Sequence, residues 1–297
     1  MVYPDELKNI CYLAKQEFLA LKNGVKPALR FSIPQAKKPA MEALKCTFEK
    51  YGLIFLIKTY KEIHNVTPQN LDYIVYITKS KNLAGELSEA EKNGNVKKVG
   101  EILGYPECCV NFYIDIHKNL MKKGNLCCTE SFLNTKSKPN FHTNNIFNFN
   151  SKISGQVEKL RTVQQLNKTD EFMDYFLISH IPCSYDCKES VKMGRDVLRI
   201  LKAELPEFAN EIASALKHPF LVFDDFNWVI FNGMVKNKNM IKYESVFPIK
   251  SLYPDEIFRS GNRIVVQDDE IRILMDEETI RVIKKGNEHD GMIIDFT

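Results

Sequence analysis

The chain has 297 residues, 44% hydrophobic and 27% charged, which excludes wholesale disorder. Lys and Arg total 41 against 38 Asp and Glu, and the formal charge of +3 is too small for a nucleic-acid arm or a basic membrane patch. Eight cysteines are too sparse for a disulfide scaffold, and a chain this long buries a core without staples.

The first residues carry Asp5 and Glu6 with no apolar run behind them, unlike a secretory signal. The densest apolar run, 53–57, falls far short of the ~20 residues of a spanning helix. A cytoplasmic protein with no membrane partner is expected. Residues 5–22 read as an amphipathic helix, with Leu7, Ile10, Ala14, Phe18 and Leu21 at helical spacing and Gly24 as a stop. A second helix is expected over 35–51, ended by Gly52, and strands over 53–58 and 71–78. Short helices over 83–92 and 96–103 follow. Residues 1–95 thus form an expected N-terminal α/β unit.

Residues 96–218 read as a central helical segment. Pro106 suits the first position of a helix over 106–120. The Asn-rich stretch 136–151 reads as an irregular, solvated insertion; the alternative is an ordered lid carrying Phe141, Phe147 and Phe149 over a site. Helices are expected over 171–178 and 184–205, and another from Pro206 to Leu216. From 219 to 297 the texture changes to short strands, at 220–223, 228–231, 240–248, 263–267, 271–275, 279–283 and 292–296. Asp224-Asp225, Asn232-Gly233, Ser260-Gly261-Asn262 and Asp268-Asp269 supply turns. The predicted fold is α+β, ending in a small antiparallel β sheet or barrel.

Cysteine placement carries the strongest chemical signal. Gly104-Tyr105-Pro106-Glu107-Cys108-Cys109-Val110-Asn111-Phe112-Tyr113 and His180-Ile181-Pro182-Cys183-Ser184-Tyr185-Asp186-Cys187-Lys188-Glu189-Ser190 share a grammar: a proline, then cysteines in the first turn of an expected helix. Helix N-termini expose unbonded N–H groups and about half a positive charge. Thiolate, the metal-binding and nucleophilic form, is stabilised there. Cys187 begins an apolar stripe through Val191, Gly194, Leu198, Leu201 and Leu205. Cys109 shares a face with Phe112, Tyr113, Ile116 and Leu120, and points inward more clearly than Cys108.

The expected metal ligands are Cys108, Cys109, His180, Cys183 and Cys187. Three thiolates with an imidazole, or four thiolates, suit an iron–sulfur cluster or zinc. A redox thiol pair and inert buried cysteine are the competing readings. Cys127-Cys128 reads as a local loop feature, otherwise as extra ligands or a resolving thiol; Cys11 and Cys46 read as core. His117 reads as an ordinary helical histidine, with lining of the same cavity as Cys109 the alternative; His142 lies in the Asn-rich loop, where nothing supports a functional role, and His64 and His289 have no supporting neighbours. Glu107, Asp186 and Glu189 read as helix-start charges before they read as general acids or bases. Nucleotide, phosphate and zinc-protease signatures are absent. Cys183 and Cys187 match only the first spacing of a radical-SAM triad, because Ser190 stands at its third position.

The two motifs resemble those of an uncharacterised family of methanogenic archaea, with Gly-Tyr-Pro-x-Cys-Cys and His-x-Pro-Cys-Ser-x-x-Cys elements. The resemblance spans about residues 95–250. It implies one Cys/His site in a reducing cell and brings no established activity. The expectation is therefore a cytoplasmic metalloprotein, with an iron–sulfur cluster ahead of zinc. Redox or sulfur-transfer chemistry on a small molecule or modified nucleotide fits such a centre. The alternatives are a structural zinc site in a protein- or RNA-binding module, and an accessory subunit sharing a cluster with a partner chain. Charge and pattern give nucleic acid no support.

Overall fold

The computed structural model describes residues 15–34, 45–64, 72–123, 127–146, 175–224, 227–247, 255–286 and 289–297. The fold is α+β, with two antiparallel sheets, the larger toward the C-terminus. The chain divides into two compact units, Met1–Lys118 with Lys192–Asn210, and Asn119–Val191 with Glu211–Thr297. Among the described residues no helix is long and apolar enough to cross a membrane.

In the first unit, β1 (Ala28–Pro34), β2 (Ile54–Thr59) and β3 (Asp72–Thr78) form a sheet of order β1-β3-β2. Ile74, Val75, Tyr76 and Ile77 of the central strand are all fully buried, so both faces are covered. Ile74 and Tyr76 face a core of Ala28, Ile63, Leu87, Ile102 and Leu103. Helices α1 (Lys15–Lys22), α2 (Tyr60–His64), α3 (Lys81–Lys92) and α4 (Val96–Ile102) belong to this unit. On the other face Phe55, opposite Ile77, stacks on Phe48 at 5.7 Å, and Phe48 meets Phe18. Ser80 caps α3 and Asn95 caps α4 by accepting from Leu83 and Lys98 N–H groups. The Arg30 guanidinium, the Tyr76 hydroxyl and His64 all converge on the Glu91 carboxylate.

The expected helix over 35–51 is helical at 45–50, and 35–44 lie outside the described residues, as do 5–14 of the first helix. Cys46 corrects the sequence reading: it is exposed, not core, while Thr47 and Phe48 turn inward. Cys11 lies outside the described residues.

Helix α5 (Glu107–Lys123) and α6 (Cys127–Leu133) come next, then a 3-10 turn at Phe141–Thr143, α7 (Lys188–Glu204) and α8 (Pro206–Ala215). The second unit holds a seven-stranded antiparallel sheet, with α9 (Asp255–Arg259) inserted. Its strands are β4 (Phe220–Asp224), β5 (Asn227–Asn237), β6 (Met240–Val246), β7 (Arg263–Val266), β8 (Glu270–Met275), β9 (Glu278–Lys284) and β10 (Met292–Ile294). The order is β10-β4-β5-β6-β7-β8-β9. Phe231, Ile241, Tyr243, Phe258, Ile264 and Ile273 are central to its core. Asn232-Gly233 is not a turn but a register shift within β5, against β6. A Cβ on Gly233 would stand 2.3 Å from the Lys242 carbonyl oxygen, so only glycine fits this irregularity.

The half-buried His218 ring stacks on Phe247 at 4.7 Å. Burial holds its pKa below the usual 6.5, although a hydrogen bond to the Phe231 backbone works the other way. A depressed pKa means that the neutral ring is the form the fold accommodates. Its stabilisation is complete above the unfolded pKa and is lost as pH falls through the folded one. The unfolding midpoint should therefore fall as the pH is lowered from 7 past the usual imidazole pKa of 6.5, and more shallowly in His218→Gln. Equal slopes for the two proteins would contradict the assignment.

Candidate metal centre

The first cysteine motif is set by its glycine. Gly104 has φ of +77°, and a Cβ there would meet Pro27 Cδ at 2.5 Å. The chain thus turns sharply just before Tyr105, which packs against the sheet core and lies under the Lys26 ammonium at 5.3 Å. The Pro106 carbonyl accepts from the N–H groups of both Cys109 and Val110. Pro106 is therefore the capping residue rather than the first helical one, and Cys108 and Cys109 are the second and third residues of α5. Cys109 is 2% exposed while Cys108 faces solvent. Gly104→Ala combines an unfavourable left-handed residue, about 1–2 kcal/mol, with the Pro27 clash. It should lower the thermal midpoint; a wild-type midpoint would show the turn to be tolerant.

The second motif departs from expectation. Residues 184–187 are not helical; α7 starts only at Lys188, and the Cys187 carbonyl accepts its first bond, from Val191. Cys187 is the capping residue, and Cys183 sits in an irregular loop. Residues 175–178 are likewise irregular rather than helical, all four buried, while 171–174 lie outside the described residues.

The segment holding that loop in place is the one read as solvated. Asn144 and Asn145 are buried, and Asn145 Nδ2 donates to the His180 carbonyl at 2.8 Å. Ser131 Oγ donates to the Pro182 carbonyl. Thr135 Oγ1 accepts from the Tyr185 N–H at 2.9 Å, and the Tyr185 carbonyl accepts from Asn140 N–H and Thr143 Oγ1. Asn144 Nδ2 reaches the Leu216 carbonyl at 2.8 Å. Over 136–146 the stretch is thus a scaffold, not a solvated insertion; 147–151, with Phe147 and Phe149, lie outside the described residues. Phe141 is half-buried in the 3-10 turn.

Asp186 completes the clasp. Burial opposes its charge, but hydrogen bonds from Ser184 and Ser137 prevail and hold its carboxyl below the usual range. Its Oδ2 accepts from both the N–H and the hydroxyl of Ser137 at 2.9 Å. These bonds anchor the loop to Ser137. Glu107 and Glu189 are exposed in first helical turns.

Cys108, Cys109, Cys183 and Cys187 come together: their four sulfur atoms lie within 4.8 Å of one another. The Cys108 and Cys109 sulfurs are 3.8 Å apart. Such a group could bind a metal ion. His180 is not part of it: the ring is buried, and its Nε2 lies 2.8 Å from Ser190 Oγ. Cys128 is also outside the group, buried and lining a small cavity with Phe132, Ile146 and Trp228; Cys127, with its neighbour, belongs to α6 rather than to a loop. His142 Nδ1 lies 2.7 Å from Asn140 Oδ1, a local contact. The side chain of His117 lies outside the described residues. No protein-family model matches the chain, and neither a curated protein nor a solved structure matches it.

Proposed function

We propose that the protein holds one metal ion, zinc in the first place, in a structural centre of four thiolates from Cys108, Cys109, Cys183 and Cys187. Sulfur spacing carries the reading. Four thiolates around one ion at about 2.3 Å stand about 3.8 Å apart along each tetrahedral edge. The Cys108–Cys109 separation of 3.8 Å and the 4.8 Å envelope of the whole group suit that size. In a cubane the thiolates sit on different irons and are spread further by the iron–iron separations. This is why a single ion is preferred here to the cluster expected from sequence.

Four protein ligands also close the coordination sphere. Structural zinc sites are closed in this way, whereas catalytic ones keep a position open for water or substrate. The ion's contribution is then folding free energy. The positive ends of α5 and α7, each 17 residues long, offset part of the excess negative charge of four thiolates on a divalent ion.

Anaerobic purification followed by metal and acid-labile sulfide analysis tests the proposal. One equivalent of zinc in a colourless protein, and a lower unfolding midpoint after chelation, are expected. Labile sulfide with broad visible absorbance would replace the single ion by a cluster. Metal-free protein that takes up no zinc would overturn both.

A further inference from the structure

We propose that His180 and Ser190 are positioning residues for this centre, and that His180 is not a ligand. The inference rests on the metal reading above and adds the device that shapes one half of the site. His180 and Ser190 are 5% and 0% exposed, and His180 Nε2 lies 2.8 Å from Ser190 Oγ. The contact joins the start of the cysteine loop to the third residue of α7. Cys183 lies three residues after His180, and Cys187 three before Ser190, so the bond closes a ring of chain that contains both ligands. The opposite end of His180 is fixed as well, since its carbonyl accepts from Asn145 Nδ2 at 2.8 Å.

The chemistry of the imidazole follows from that bond. If Ser190 donates, the Nε2 lone pair is occupied; if Nε2 donates, it carries the proton. In neither tautomer does Nε2 offer a lone pair to a metal ion, and neither ring nitrogen of His180 belongs to the close group of ligand atoms that the four cysteines form. Its contribution is to order the loop before the ion arrives. An unclasped loop has to lose backbone freedom on binding, and that loss is subtracted from affinity. Partners that orient metal ligands without touching the ion typically contribute 10–100-fold in affinity.

The test uses the full chain, loaded with cobalt(II) in place of the native ion. Wild type, His180→Ala, His180→Gln, Ser190→Ala and the double alanine variant are compared. Affinity comes from chelator competition, and the number of thiolates from the thiolate-to-cobalt charge-transfer intensity. Metal-free stability is followed in parallel. Both single alanine variants should lose about 10–100-fold in affinity while keeping four-thiolate intensity. The double variant should lose no more than the worse single one, because both remove the same bond. His180→Gln, which can still bond to Ser190, should recover part of the loss. Ser190→Ala deletes one oxygen from a packed site, so the test survives if His180→Ala fails to fold. Wild-type affinity in Ser190→Ala would overturn the proposal. So would a collapse of affinity with altered cobalt bands in His180→Ala alone, the result expected of a ligand. A wild-type chain that takes up no cobalt fails earlier and removes the metal reading itself.

Discussion

Cys187→Ser and Cys109→Ser are expected to lose bound metal, and Cys108→Ser to lose less. Structural zinc sites have apparent binding free energies of about 10–16 kcal/mol. One ligand of four then corresponds to about 2.5–4 kcal/mol, a loss of roughly 60- to 700-fold in affinity. Position separates the four cysteines. Cys109 and Cys187 are 2% and 8% exposed, so a serine there puts a weaker, harder ligand where water has little access to fill the vacancy. Cys108 is exposed, and a water molecule can take its vertex. Cys183, half-buried, should fall between them. The measurement is zinc retained after gel filtration against a graded series of chelators, with the unfolding midpoint of each variant in metal and in chelator. Zinc should raise the wild-type midpoint strongly, and those of the Cys109 and Cys187 variants little. Four variants with wild-type retention would remove the tetrathiolate centre. Equal losses at all four positions would remove the argument from burial.

Local chemistry made the cysteines and the C-terminal strands legible, and long-range bonding hid the rest. The two motifs could be found because proline and paired cysteines stand out in any window. The strands from Phe220 onward were found because β-branched and aromatic runs alternate with turn residues. Strand β1 was missed, since its sequence ends in Pro34 and follows Pro27. Its place at the edge of the sheet is what tolerates proline there. Helix was expected from Ser184 onward because the apolar stripe of α7 extrapolates backward through Cys187. The Tyr185 N–H and carbonyl are instead taken by Thr135, Asn140 and Thr143, which leaves neither for a helical ladder. Asparagines usually mark solvated turns. Here Asn144 bonds a carbonyl 72 positions away and Asn145 one 35 positions away, partners no local window contains. His180 read as a ligand because it stands beside two cysteines in sequence. Its partner Ser190 stands ten residues on, and nothing in the local sequence marks the bond between them.

Tyr185→Ala should be the most damaging single substitution in the cysteine loop that touches no ligand. The side chain is 1% exposed between Cys183 and Cys187. Its ring meets Phe296 edge-on at 5.2 Å and Phe132 at 6.4 Å, and its hydroxyl donates to Asn145 Oδ1 at 3.3 Å. Removing a buried ring of this size costs about 3–5 kcal/mol through lost transfer free energy and the cavity left behind. For a unit of this size, that is a midpoint drop of roughly 6–20 °C. Tyr185→Phe keeps the ring and loses one long hydrogen bond, so about 1 kcal/mol is expected. The pair of variants separates packing from polarity. Packing fixes the loop conformation that presents Cys183 and Cys187, so Tyr185→Ala should also weaken metal binding by at least about tenfold, or 1.4 kcal/mol, while Tyr185→Phe binds almost as wild type. Chemical unfolding of the metal-free proteins gives the first quantity, and chelator competition on the loaded proteins gives the second. If Tyr185→Ala lost stability but kept wild-type affinity, the backbone bonds from Thr135, Asn140 and Thr143 alone would be sufficient to shape the loop. If Tyr185→Phe fell as far as alanine, the hydroxyl bond to Asn145 would be the main support, and the scaffold would act through its buried amides rather than through the ring.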